Sequence, residues 1–345
     1  MAPRQLRVGV VGLGYFSRFH LDAWAAHPAV KLTRVCDIDL SRRAWARATY
    51  EVETDDAPAV MAASDAEVID IITPPAAHAN LIKTLAAPGR VLVCQKPFCT
   101  SLAEAEAVVI AAEAAGARLV IHENFRFQPW HRTAKRFIDD GQLGDIFESV
   151  FYLRPGDGRG PHAYLDRQPA FQTMPRLLIY ETGVHFVDLF RWLFGPIKDV
   201  YADLRRLNPA IRGEDAGQVM FTHSSGVRTT FNGNRLSDHI SDDTRRTMGI
   251  MVTEGTGGSL RLYGTGNLSH RRFGAFDWTD LPTVTPVDRA SFGGGCVAAL
   301  IDHVVASCLT GAPFENEARD YLPVVRVTEA IYQSHETGQR LAVDG

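Results

Sequence analysis

Cysteine is scarce in this chain: five residues, Cys36, Cys94, Cys99, Cys296 and Cys308, an odd number and none spaced as a C-x-x-C pair. That excludes a zinc-ribbon type of metal site, and a chain of 345 residues is large enough to fold without a disulfide framework. Reduced thiols are the expectation. A surplus of one charge sign is also missing, since the formal net charge is only -4, which leaves nothing to draw nucleic acid or an anionic membrane surface. No apolar run approaches the roughly 20 residues of a membrane span. Met1-Ala2-Pro3-Arg4-Gln5 leads into the first apolar segment without the pattern of a secretory signal. Together these absences predict a cytoplasmic protein with no metal, nucleic-acid or membrane partner.

What is present is concentrated in Arg7 to His20, RVGVVGLGYFSRFH. Val8, Val10 and Val11 make the β-branched run of a strand covered on both faces, and Gly12-Leu13-Gly14-Tyr15-Phe16-Ser17 follows in the G-x-G-x-x-small position. Gly12 permits the turn, Gly14 lets a pyrophosphate approach the backbone, and small Ser17 allows a helix to pack close. An ordinary glycine-bearing strand-to-helix turn would look the same. The context decides: a second apolar run, Val30 to Cys36, ends in Asp37, where a carboxylate can accept hydrogen bonds from an adenosine ribose. That pattern favours NAD, while neighbouring Arg42 and Arg43 leave NADP open.

From Leu6 to about Asn124 strand and helix alternate, as a doubly wound parallel sheet requires. Val68 to Thr73 runs into Pro74-Pro75-Ala76-Ala77-His78, and Arg90 to Cys94 runs into Gln95-Lys96-Pro97, both at the carboxyl edge where open α/β sheets bind ligands. His78 has two readings, a helix cap or a place near the cofactor. Lys96 is placed to meet a substrate oxygen. With Gly12, Leu13, Gly14, Tyr15, Phe16 and Asp37, the strand-end residues Thr73, Pro74, His78, Gln95, Lys96 and Asn124 form the expected cofactor surface.

Beyond Asn124 the grammar changes to alternating or β-branched segments with few helices, which predicts a mostly antiparallel sheet with one face free for a partner subunit. One helix is expected over Leu177 to Phe194, placing Glu181 and His185 on one face with Asp188 a turn further. A satisfied core histidine is the plain alternative for His185. The Gly- and Pro-rich segment Arg154 to Arg176 carries Asp157, His162, Tyr164, Asp166 and Arg167, a set suited to a polyhydroxylated substrate or to a surface or inter-subunit loop.

With these residues in hand, the sequence resembles the Gfo/Idh/MocA oxidoreductases over nearly its whole length. The resemblance rests on GLGYFSRFH (Gly12 to His20), TPPAAH (Thr73 to His78), QKP (Gln95 to Pro97), NFRFQP (Asn124 to Pro129) and ETGVHFVDLFRWLFG (Glu181 to Gly195). It implies an α/β chain: a Rossmann domain over 1–124, then an α+β domain over 125–345 with a large open, mainly antiparallel sheet, its C-terminal helix packing back on the first domain. It also implies hydride transfer between nicotinamide and a sugar or polyol carbon, and the free face of the C-terminal sheet predicts a homodimer or homotetramer.

By motif match Lys96 takes the place of the family's E-K-P lysine, and His185 that of a histidine four residues after an acidic one. Gln95 replaces the usual glutamate and Glu181 the usual aspartate, so the tuning of both groups differs from the family pattern. The expected mechanism has His185, oriented by Glu181, removing the hydroxyl proton while Lys96 stabilises the alkoxide across the nicotinamide ring. Arg126, Asp157, Tyr164 and Arg167 join Lys96, Glu181 and His185 as expected substrate contacts. QKPF, HENFRFQPW and the RPGDG loop resemble the branch that includes D-apiose dehydrogenases, which implies oxidation of an aldose at its anomeric carbon to the lactone. Spacing and composition do not separate an aldose from inositol or another polyol. An NAD-dependent glycosidase and a non-catalytic NAD-binding sensor are the rivals from other classes.

Overall fold

A computed structural model describes residues 4–343. The chain divides into two compact units, one built from the residues up to Glu123 with Val297–Val325, the other from Asn124–Cys296 with the residues from Arg326 onward.

The first unit is a six-stranded parallel sheet. Its strands are β1 (Leu6–Val11), β2 (Val30–Cys36), β3 (Glu53–Asp55), β4 (Val68–Ile71), β5 (Val91–Gln95) and β6 (Arg118–His122). They lie in the order β3-β2-β1-β4-β5-β6, so the winding reverses between β1 and β4. In this doubly wound arrangement the reversal opens a crevice at the carboxyl ends of the strands. Helices α1 (Ser17–Ala26), α2 (Leu40–Tyr50), α3 (Pro58–Ala62), α4 (Pro75–Leu85) and α5 (Leu102–Ala114) make the crossovers. Strands β4 and β5 are buried at every residue, which is why they read as unbroken apolar runs. Helix α1 buries Ser17, His20, Leu21 and Trp24, the three- and four-residue spacing of one helical face. Ser101 caps α5 by accepting from the Glu104 N–H, and the Glu104 carboxylate reaches back to the Thr100 N–H at 2.8 Å.

The second unit opens with a short 3-10 turn at Phe125–Phe127, then α6 (Pro129–Asp139) and β7 (Ile146–Leu153). After a long irregular segment with one 3-10 turn come α7 (Val184–Phe194), β8 (Ile197–Arg205), β9 (Ala216–His223), β10 (Arg228–Asn234), β11 (Gly249–Gly255), β12 (Gly258–Leu262), β13 (Leu268–Arg272) and β14 (Thr279–Leu281). Helices α8 (Cys296–Thr310) and α9 (Ala318–Thr337) and a short β15 (Leu341–Ala342) complete the chain. The nine-stranded sheet runs β14-β13-β12-β11-β7-β10-β9-β8-β15, antiparallel throughout except where β10 lies parallel to β7. Alternation is clean: Ser149, Phe151 and Leu153 on β7 are buried, while Val150 and Tyr152 face the other way and are half-buried. The turn Gly255-Thr256-Gly257-Gly258 joins β11 to β12 as a hairpin.

Two expectations are corrected here. The stretch Leu177 to Phe194 is not one regular helix: Leu178–Gly183 is a π-helix, and α7 starts only at Val184. The π turn carries Glu181, and His185 follows in the first turn of α7. The second concerns apolar length, for Phe292–Thr310 is long and apolar enough to cross a membrane by length and composition alone. Within that stretch Gly293, Gly294 and Gly295 all have positive φ, and Leu300, Ile301, Val304 and Val305 are buried in the fold. Core packing explains the composition.

Candidate active site

At the carboxyl edge of the parallel sheet, the turn after β1 is set by Gly12 at φ 97°, where an added Cβ would lie 2.4 Å from the Ile72 carbonyl oxygen. Only glycine fits. Gly14 is the opposite case, for a Cβ there would meet nothing within 4 Å, which leaves the space a pyrophosphate needs. Leu13, Tyr15 and Phe16 complete the turn, and the small Ser17 is fully buried with its hydroxyl donating to the Gly14 carbonyl at 2.7 Å. No side chain caps the start of α1. Asp37 follows β2: its Oδ2 accepts from the Leu13 N–H at 2.6 Å and its Oδ1 from the Asp39 N–H at 2.8 Å. The carboxylate therefore braces the glycine turn as well as standing where a ribose would be read.

The loops after β4 and β5 are tied together. His78 places Nε2 2.8 Å from the Thr73 carbonyl and Nδ1 2.8 Å from the Phe98 carbonyl, while the N-cap of α4 is Pro74 with no side-chain cap bond. Of the two readings of His78, the helix cap is thus corrected, because a cap must accept from an N–H and this ring faces carbonyls. Burial pushes the His78 pKa down, against the pull of the Phe98 and Thr73 carbonyls. Gln95 ends β5 with its Oε1 accepting from the Lys96 N–H at 2.9 Å. Behind it lie His20 and Asp70, both fully buried, with His20 Nδ1 2.7 Å from Asp70 Oδ2.

The second unit carries the histidine. His185, in the first turn of α7, stacks face to face on Phe125, with ring centroids 3.9 Å apart and planes 2° from parallel. Phe125 is itself held, since its carbonyl lies 2.9 Å from Nδ1 of His131. Burial pushes the His131 pKa down to about 4. Arg126 makes a two-point ion pair with the fully buried carboxylate of Asp188, one of the contacts being 2.6 Å from Nε to Oδ2. Asn124 begins the 3-10 turn as its N-cap.

The expected substrate loop is anchored by charge. Arg235, fully buried, donates to Asp157 from Nε at 3.1 Å and from Nη2 at 2.8 Å, and from Nη1 to the Thr182 hydroxyl at 2.8 Å. Arg167 adds a third contact to Asp157 at 3.1 Å. Burial alone would raise the Asp157 pKa, but the Arg235 and Arg167 guanidinium groups hold it below the ordinary value. Tyr164 is buried at φ 71° with its ring 5.1 Å from the Arg235 guanidinium carbon. Glu181 sits in the π-helix, and its charge is felt by Arg235. Among the described residues no three His, Cys, Asp or Glu side chains cluster as ligands for a metal ion.

Sequence reasoning missed His20, Asp70, Phe125, His131 and Arg235. Asp70 had a legible signal, a lone carboxylate inside the buried run VIDII, which demands partners. Arg235 had none.

Comparison with known proteins places this geometry. Residues 6–123 match the model of an oxidoreductase family with an NAD-binding Rossmann fold, and residues 131–261 match the Gfo/Idh/MocA C-terminal domain. Over 97% of this chain and 89% of the relative's length, the sequence is 31% identical to D-apiose dehydrogenase of Paraburkholderia graminis. The chain belongs to the Gfo/Idh/MocA oxidoreductase family. D-apiose dehydrogenase of Rhizobium rhizogenes is 28% identical over 76% of this chain and 74% of its own. Among solved structures, an oxidoreductase from Agrobacterium radiobacter in complex with NAD+, L-tartaric acid and magnesium superposes with a TM-score of 0.89, at 25% identity and 98% coverage of both chains. As a member of this family the chain is an NAD-dependent dehydrogenase, and the open space at Gly14 with the acceptor at Asp37 fits that cofactor.

Proposed function

We propose that this Gfo/Idh/MocA dehydrogenase oxidises the anomeric hydroxyl of an aldose, D-apiose being the specific candidate, to the lactone. The observation that carries the reading is the near full-length similarity to the Paraburkholderia graminis enzyme. Bound between the Gly12 turn and Asp37, the cofactor supplies the hydride acceptor. The hydroxyl proton leaves to the His185 imidazole, the side-chain type that takes up a proton near neutral pH, and the oxygen's electron pair forms the carbonyl as the carbon's hydride departs. Lys96 stabilises the oxyanion that develops on the way. Stacking on Phe125 supports the role of His185, because it fixes the plane in which the ring must meet the proton.

The test is NADH formation across a panel of aldoses and polyols. D-apiose is expected to give the highest kcat/KM, and an inositol turned over faster would replace the substrate assignment. Lys96→Met and His185→Asn are each expected to lower kcat by about 10²–10⁴-fold. Turnover near that of the parent in both would remove their roles.

We further propose that a second copy of the chain covers the outer face of the nine-stranded sheet. Across that face Tyr201, Met220, Thr230, Val150 and Val252 fall in one row by strand register, an apolar stripe left partly exposed. Light scattering should give a dimer or tetramer at micromolar concentration and a smaller species for Met220→Lys; a monomeric parent would overturn this. The five free thiols suit a reducing compartment such as the cytoplasm.

A further inference from the structure

We propose that His20 and Asp70 are positioning residues for the Lys96 end of β5, joined to it through Gln95 in a directional chain that carries no second proton. The proposal rests on the reading of Lys96 as the group that meets the oxyanion.

The direction of each bond follows from the one before it. A main-chain N–H can only donate, so the Gln95 atom 2.9 Å from the Lys96 nitrogen must be the amide oxygen. The Gln95 amide nitrogen is thereby turned to Nε2 of His20, 2.9 Å away. That nitrogen can only donate, so Nε2 of His20 must present its lone pair, and the ring proton belongs on Nδ1. Nδ1 lies 2.7 Å from Oδ2 of Asp70, an acceptor that also takes the indole N–H of Trp24 at 2.7 Å. Donor meets acceptor at every step from the indole and carboxylate to the lysine backbone. His20 and Asp70 are fully buried and Gln95 nearly so, which leaves water little part in the arrangement.

Three elements of the first unit contribute: α1 gives His20 and Trp24, β4 gives Asp70, and β5 gives Gln95. The other rings packed on His20 are Phe16, with centroids 5.5 Å apart, and His122 at the end of β6, at 4.0 Å. Asp70 and His122 are thus the titratable groups that face it.

The chain gives Gln95 a specific purpose. An ionised glutamate at this position would turn an acceptor-only oxygen toward the acceptor nitrogen of His20, and the bond would then form only if the imidazole took a second proton. Gln95 keeps His20 neutral, leaves no carboxylate next to Lys96, and still holds the lysine backbone from below.

The experiment is long-range 1H–15N correlation NMR of enzyme labelled with 15N-histidine, the His20 signal being assigned by its loss in His20→Gln. In the parent at neutral pH, His20 is expected as the neutral tautomer with its proton on Nδ1. In Gln95→Glu both ring nitrogens should become protonated, with kcat lowered about tenfold and the KM for NAD little changed. A proton on Nε2 of parent His20, or a doubly protonated ring there, overturns the proposal. So does a Gln95→Glu enzyme whose His20 stays singly protonated, or one whose kcat equals the parent's. The imidazole spectrum needs no turnover, so its failure is distinct from failure of the Lys96 assignment, which the kinetics of Lys96→Met read.

Discussion

The two units bury their polar groups by different means. In the first, Asp70, His20 and Gln95 converge because the topology of a parallel sheet brings the ends of β4, β5 and the adjoining helix to one edge, and hydrogen bonds of about 2.7–2.9 Å join them. In the second, Asp157 and Arg167 on one irregular segment meet Arg235 just past the end of β10, and full charges hold them. A site assembled by topology can be fastened by hydrogen bonds from uncharged donors around a single buried carboxylate, Asp70. One assembled from loops relies on ion pairs, which commit more free energy to each partner.

That contrast can be tested, starting where the effect is greatest. Arg235→Met removes the cation that keeps Asp157 ionised in a buried place and should cost about 3–5 kcal/mol of stability by chemical denaturation. A loss under 1 kcal/mol would mean that the ion pair is not what anchors the loop.

Acid stability separates the units next. His131 has its pKa lowered from 6.5 to about 4 by burial, so the unfolded chain binds a proton that the folded chain refuses. Its contribution is complete above pH 6.5 and is lost as pH falls toward 4, about 3 kcal/mol in all. Denaturation curves at pH 7 and pH 4.5 should therefore diverge less for His131→Gln than for the parent; an equal divergence in both would remove His131 as the cause.

The smallest effect sharpens the comparison at the proposed base, His185. Phe125→Leu keeps an apolar side chain under His185 but removes the stacked ring, an interaction worth about 0.5–1.5 kcal/mol. We expect kcat to fall by about 2- to 10-fold with the KM for NAD unchanged, read by steady-state kinetics. A change in KM for NAD alone would assign Phe125 to cofactor binding instead.

The same contrast explains what could be read in advance. Gly12, Gly14 and Asp37 were legible because a glycine turn between a buried strand and a helix, with a carboxylate at the next strand end, leaves a local pattern. The alternation of β7, β9 and β10 was legible for the same reason. Strands β13 and β14 were not foreseen, and Leu268–Arg272 shows why: LSHRR lacks the β-branched run that marks a strand when read alone. The π-helix at Leu178–Gly183 escaped because an apolar periodicity of broad face fits a turn of either width. Arg235 partners Asp157 across 78 positions of sequence, a separation at which no spacing rule operates.

Asp37 has a practical consequence for anyone redesigning cofactor preference. Both of its oxygens are already engaged, one by the backbone of the glycine turn and one by that of Asp39. Swapping it for a small apolar residue to admit a phosphorylated ribose would unfasten the very turn meant to cradle the pyrophosphate. A successful conversion has to retain an oxygen acceptor there, as serine or asparagine would, and recruit its new cation from Arg42 or Arg43 on the helix that follows.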